Sequence, residues 1–254
     1  MNEISLKPRD YQTSILNTAK EKNTLVILPT GTGKTLIAIM LAIERFKKYP
    51  LQKILILAPT KPLIEQHINS FKKVLPEDWA DMQLFTGKTK SDQRKRIWKT
   101  AEFIFSTPQC IANDLKKKLY DLEEVSLLIV DEAHTCTKNV DFKKAAQSQQ
   151  RYELLEKIAK NNEQHLLLLT ATPHSGKDGE FKSLLGLVNP EFESYDFADL
   201  ETSEKRKVAA HFIQRKRKNI EKWLDEETPF PKRTTEELPY SLSASSDYYK
   251  LYQD

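Results

Sequence analysis

The chain has only two cysteines, Cys110 and Cys136, and no C-x-x-C pair. Disulfide and thiolate-zinc readings are therefore poor, and a reducing cytoplasm fits. It has no run of about 18 apolar residues, the length a helix needs to span a bilayer, so no membrane partner is expected. The opening residues Met1-Asn2-Glu3-Ile4-Ser5 lack the basic-then-apolar pattern of a secretory signal. A composition of 39% hydrophobic and 30% charged residues excludes a disordered chain. At 254 residues it holds one α/β domain with extensions.

Charge is unevenly spread. Between Ser203 and Asp225 eight Lys or Arg face three acids, an excess larger than the net +4 of the whole chain. Such a segment suits an anionic polymer, and a solvated helix face has the same composition.

The residues that are present organise around Thr24 to Thr35, which read as an apolar strand, a turn bearing Gly31 and Gly33, and an apolar helix through Leu36, Ile37, Ile39, Met40, Leu41 and Ile43. Backbone N–H groups converging on a helix N-terminus make a phosphate cradle, and the helix dipole adds to it. Gly31 and Gly33 let the backbone approach phosphate oxygens closely. Lys34 supplies a charge for the β- and γ-phosphates, and the Thr35 hydroxyl suits Mg²⁺. Leu28 stands where the common form of this loop has its first glycine. The motif thus depends on its strand and helix for specificity.

A second anchor is Leu127-Leu128-Ile129-Val130-Asp131-Glu132-Ala133-His134. An apolar strand delivers two carboxylates to its C-terminal end, where open α/β sheets bind ligands. Asp131 would hold Mg²⁺ through a water, and Glu132 would orient and deprotonate an attacking water. Upstream, Arg9-Asp10-Tyr11-Gln12 opens a helix, and the Gln12 amide matches adenine N7 and its N6 amino group.

Elsewhere an apolar strand meets a small hydroxyl residue and a proline at a helix start. Ile54 to Ala58 leads into Pro59-Thr60-Lys61-Pro62, and Phe103 to Phe105 into Ser106-Thr107-Pro108-Gln109. Pro62 and Pro108 suit a first helical turn. The free N–H groups there, with Thr60 and Lys61, would hold a nucleic-acid phosphate, although a plain helix start explains the same residues. Leu84-Phe85-Thr86-Gly87 ends another strand, followed from Ser91 by a basic helix with Arg94, Lys95 and Arg96. Cys136 to Gln150 reads as an exposed excursion, Arg151 to Lys160 as a short amphipathic helix, and His165 to Leu169 as a strand running into Thr170-Ala171-Thr172-Pro173. Gly176 to Val188 gives a turn and a helix. Strands separated by helices are expected to form a doubly wound, mostly parallel sheet. Beyond Asn189-Pro190 the expectation is an acidic and aromatic stretch. A basic helix carrying Phe212, Ile213, Ile220, Trp223 and Leu224 follows, with Arg215 to Lys218 interrupting its apolar spacing. Thr228-Pro229-Phe230-Pro231 reads as an extended connector, and Tyr248, Tyr249 and Tyr252 have no partner within the chain.

Taken in order, Tyr11-Gln12, P-T-G-T-G-K-T, A-P-T-K-P-L, Thr86-Gly87, Thr107-Pro108-Gln109, D-E-A-H and T-A-T-P resemble the motifs of superfamily 2 helicases and translocases. Up to Asp131 the wording is most similar to archaeal Hef-type helicases. From T-A-T-P-H-S-G-K onward, including F-I-Q-R-K-R-K and F-P-K-R, it resembles prokaryotic Swi/Snf-like ATPases, the likeness favoured because it accounts for the C-terminal part. The resemblance implies a RecA-like first lobe over residues 1–190. Residues 191–254 would be a basic helical extension toward a second RecA-like lobe, whose motifs are not found in this chain. It implies ATP and Mg²⁺ as cofactors, with Arg9, Tyr11 and Gln12 at the base and Thr30, Gly31, Thr32, Gly33, Lys34 and Thr35 at the phosphates. Lys34, Asp131 and Glu132 would be catalytic. Thr60, Lys61, Thr86, Gly87, Thr107 and Gln109 would line a nucleic-acid track for duplex DNA, and His134, Thr170 and Thr172 would couple the two sites. An arginine finger from the missing lobe is worth about 10³–10⁵ in rate. The isolated lobe is therefore expected to bind nucleotide weakly and hydrolyse it very slowly. A strand-separating helicase on DNA or RNA, and a non-catalytic binding module, are the alternatives.

Overall fold

Strands and helices alternate along the chain because short β-branched and leucine-rich runs are punctuated by Pro, Gly and charged turns. The computed structural model describes residues 6–138, 145–172 and 178–221. Its strands are Thr24–Ile27 (β1), Lys53–Leu57 (β2), Met82–Phe85 (β3), Phe103–Ser106 (β4), Val125–Val130 (β5), His165–Thr170 (β6) and Phe212–Gln214 (β7). The helices are Asp10–Glu21 (α1), Lys34–Lys48 (α2), Lys61–Val74 (α3), Ser91–Thr100 (α4), Pro108–Lys116 (α5), Ala145–Ala159 (α6), Asp178–Val188 (α7), Thr202–Ala209 (α8) and the single turn Arg217–Ile220 (α9). The strands form one sheet in the order β3-β4-β2-β5-β6-β1-β7. Every described pairing is parallel.

Parallel strands all end at one edge, and crossover helices cover both faces. That explains why β1, β2, β4, β5 and β6 are buried along their whole lengths. One face carries a cluster of tilted and edge-on rings, Phe46, Phe71, Trp79, Phe103 and Phe105. On the other, Trp98 and Tyr120 stack flat at 3.9 Å beside Phe85. Lys53 is buried at the start of β2, where its ammonium donates to the Ala101 carbonyl and meets Glu124.

Three sequence expectations change. Among the described residues seven strands are present, one more than the six read from the sequence. Phe212 and Ile213 lie in β7 and not in a basic helix, pairing with Leu25 and Val26 of β1. Without β7 the fully buried β1 would be a bare sheet edge, and covering that edge outweighs continuing a helix already broken by charge. The basic stretch is accordingly split between α8 and the turn at α9. Finally, Cys136 and Thr137 are buried, and α6 begins at Ala145, so the described part of Cys136 to Gln150 is not an exposed excursion. The Ser148 hydroxyl, donating to the Thr137 carbonyl at 2.7 Å, draws the two ends of that stretch together.

Residues 191–221 pack in the same compact unit as the preceding lobe. Trp223, Leu224, the Thr228 to Pro231 connector, the terminal tyrosines, Pro173 and Gly176 lie outside the described residues.

Candidate active site

β1 delivers the phosphate loop. Gly31 and Gly33 hold φ of +78° and +80°, the left-handed region that a Cβ resists. The loop is pinned from behind by α1. The Tyr11 hydroxyl donates to the Thr32 carbonyl at 2.7 Å, and the Gln12 amide donates to the same oxygen at 3.3 Å. Thr32 is itself fully buried, with its hydroxyl donating to the Pro29 carbonyl at 2.6 Å. Gln12 also accepts the Arg9 N–H at 2.9 Å, so one side chain caps α1 and touches the loop. A Cβ on Gly33 would fall 2.2 Å from the Gln12 amide nitrogen. Tyr11 and Gln12 are both 2% exposed, against an exposed Thr30 and Gly31. Lys34 opens α2, and its ammonium rests on the Leu28 carbonyl at 3.1 Å.

β5, two strands from β1 across β6, delivers Asp131 and Glu132 to the same edge. Burial alone would raise the Asp131 carboxyl. A hydrogen bond from His67, the charges of His67 and Lys34 and the Glu132 backbone N–H hold it below its ordinary value instead. Lys34 and Asp131 therefore act on one another. His67 Nε2 lies 2.8 Å from Asp131 Oδ2, while Oδ1 is buried without a hydrogen-bond partner. Glu132 adopts φ of +50°, rare for a residue with a side chain. Its Oε2 sits 3.2 Å from His134 Nδ1.

His134 Nδ1 is also 3.0 Å from the Thr170 hydroxyl oxygen at the end of β6. That hydroxyl donates to the Thr172 carbonyl at 2.8 Å and accepts the Thr172 N–H at 3.2 Å. With its only proton committed there, Thr170 can only accept from His134, which places the imidazole proton on Nδ1. The three residues expected to couple the sites thus form one network.

The expected track residues are spread along the same edge. Thr60 and Gly87 are exposed, while Thr107 and Thr86 are half-buried. Lys61 pairs with Glu65 at 3.1 Å one turn along α3. Gln109 is turned inward, donating to Asn113 and to Gln150 of α6 at 3.2 and 3.0 Å.

With this geometry in place, comparison with known proteins is informative: the DEAD/DEAH box helicase family matches residues 9–178. The chain belongs to that family. The ATP-dependent DNA helicase MPH1 of Scheffersomyces stipitis is 34% identical over 201 residues, covering 78% of this chain and 18% of that protein. The mouse Fanconi anemia group M protein homolog is 36% identical over 167 residues, covering 66% of this chain and 8% of that protein. The chain thus spans less than a fifth of these two curated relatives. Among solved structures, the Pyrococcus furiosus Hef helicase domain matches with a TM-score of 0.60 at 35% identity, over 71% of this chain and 36% of that one. The Sulfolobus solfataricus SWI2/SNF2 ATPase core, solved with dsDNA, also gives a TM-score of 0.60. Its 19% identity, over 84% of this chain and 45% of that one, supports the fold alone.

Within this DEAD/DEAH box chain, sequence reasoning missed His67. It lies on the buried face of α3 with Ile64, Ile68 and Phe71, and a titratable residue within an apolar stripe was the available signal. Arg94, read only as one member of a basic helix, is 7% exposed and grips fully buried Asp114 of α5 through two nitrogens, at 2.6 and 2.5 Å. Its remaining nitrogen donates to the carbonyls of Thr86, at 3.1 Å, and Thr89. The Tyr120 hydroxyl adds a bond to Asp114 at 2.8 Å.

Proposed function

We propose that this chain is the first motor lobe of an ATP-dependent DNA translocase or helicase, and that it hydrolyses ATP when paired with a second RecA-like lobe. The observation that carries this reading is the convergence of the Lys34 loop and the Asp131–Glu132 pair on one sheet edge, close enough for Lys34 to bias Asp131. Gly31 through Thr35 would receive the phosphates, with Lys34 leaving its resting place on Leu28. Arg9 and Gln12 would meet the base from α1, whose Tyr11 secures the loop behind.

Mg²⁺ fits the residues present. Asp131 Oδ1 is buried and unpartnered, the state of an acceptor awaiting a cation's water. Among the described residues no cluster of three or more His, Cys, Asp or Glu forms a closed cage. That suits an ion held by one carboxylate, the Thr35 hydroxyl and phosphate oxygens. Bound there, Mg²⁺ would neutralise charge developing on the phosphates. Glu132 would accept the proton of the attacking water, and His134, Thr170 and Thr172 would report the result to the nucleic-acid edge.

Thr60, Lys61, Thr86, Gly87 and Thr107 would contact backbone phosphates, which position a duplex without reading its bases. Gln109 would join them only after releasing Gln150. The relatives named as DNA helicases favour a second reading, in which the complete motor separates strands.

On the two-lobed parent, Lys34→Ala is expected to abolish nucleotide binding. Glu132→Gln should keep binding but lower turnover by about 10²–10⁴. Normal turnover in Glu132→Gln would remove the general-base assignment. Duplex-stimulated hydrolysis without strand separation would select the translocase over the helicase.

A further inference from the structure

Asp131 has two oxygens in different circumstances. Oδ2 accepts from His67 Nε2 at 2.8 Å, whereas Oδ1 makes no hydrogen bond of ordinary geometry, the Glu132 backbone N–H acting on the carboxylate only weakly. Both residues are buried, at 8% and 6% exposure. His67 Nδ1 likewise has no hydrogen-bond partner, so its second nitrogen gains nothing from this place. Packing does not call for a histidine either, since its neighbours on the buried face of α3, Ile64, Ile68 and Phe71, are apolar. What remains to specify an imidazole here is Asp131.

A carboxylate turns about a broad, roughly two-fold torsion, so a partner on one oxygen is needed to fix the direction of the other. Lys34 is near enough to pull on Asp131 electrostatically. Released from His67, the carboxylate would swing toward that ammonium and close the space a cation and its waters need. We propose that His67 is a positioning residue for the cation site: by occupying Oδ2 it keeps Oδ1 open toward the phosphate loop, and it thereby sets affinity for the Mg²⁺–nucleotide pair. The proposal rests on the nucleotide reading above and adds a residue to it. Partners that orient a ligating group typically cost 10–100-fold in metal affinity when removed.

The test is a Mg²⁺ titration of this chain with a fluorescent ADP analogue, in the wild type, His67→Leu and His67→Gln, repeated in excess chelator. The Gln amide nitrogen reaches the place of His Nε2. His67→Leu should therefore need about ten-fold or more Mg²⁺ for half-maximal binding, and His67→Gln should recover most of that loss. Affinity for the analogue in chelator should be equal in all three. A wild-type Mg²⁺ requirement in His67→Leu overturns the proposal. So does a Gln variant as impaired as Leu, or a parallel fall in the chelator arm, which would mark a purely structural role. If His67→Leu does not fold, His67→Asn, whose shorter amide falls short of Oδ2, takes its place against His67→Gln. Failure of the wild type to bind the analogue with or without Mg²⁺ would instead sink the nucleotide reading itself.

Discussion

The two flanks of the sheet edge treat their polar groups in opposite ways. Around Arg94 the bonding is complete: its guanidinium is shared among Asp114, Thr86 and Thr89, and Asp114 takes a further bond from Tyr120. Around Lys34 and Asp131 it is unfinished. Lys34 rests on a backbone carbonyl, one carboxylate oxygen is unpartnered, and Glu132 sits in a left-handed conformation. A finished network holds its surroundings in one shape. An unfinished one has capacity for a ligand that completes it. The first flank therefore fixes the Thr86–Gly87 loop, and the second is where chemistry would be done.

The largest effect that would break this contrast is on stability. Asp114→Ala leaves a buried guanidinium unpaired and should destabilise the chain by about 3–5 kcal/mol in urea unfolding. A loss of less than about 1 kcal/mol would mean that Arg94 escapes to water and that the clamp is not closed. Gly33→Ala comes next, with an expected cost of about 1–2 kcal/mol for a left-handed backbone carrying a Cβ. Gln12, held to Thr32 and Arg9, has little freedom to move aside. Nucleotide binding should fall in that variant along with the melting temperature.

Lys34→Ala sharpens the comparison from the other side. Its side chain is only half-buried, so the melting temperature without nucleotide should scarcely change, while the rise produced by adding nucleotide should vanish. The smallest effect concerns His165, at the start of β6. Burial lowers its pKa from the ordinary 6.5, partly offset by its bond to the Ala19 carbonyl. The unfolded chain then takes up the proton first. Stability is full above about pH 6.5 and is lost as pH falls toward the folded value. His211 is shifted in the same direction, again chiefly by burial. His165→Gln should flatten, without abolishing, that decline in thermal melts between pH 7 and 5.

Apolar patterning alone placed the strands β1, β2, β4, β5 and β6, which are buried throughout, and the phosphate-loop helix α2, whose buried stretch Ile37–Ile43 is wholly apolar. The strand at Phe212–Gln214 was illegible for a physical reason. Three residues carry no period, and what makes them a strand is the open edge of β1, some 190 positions earlier in the chain. Arg94 and His67 escaped for a related reason. Their character as clamp and as carboxylate partner depends on Asp114 and Asp131, which no local spacing brings near them.

The sequence by itself determined which residues could handle phosphate and water: a lysine after a glycine turn, and two acids at the end of an apolar strand. Those are local properties of backbone and side-chain chemistry. Only the tertiary structure decided that the two segments share an edge, that one Asp131 oxygen is taken and the other left open, and that Arg94 of the basic helix is a buried clamp. Such choices depend on which distant groups are desolvated together, and burial is a property of the whole fold.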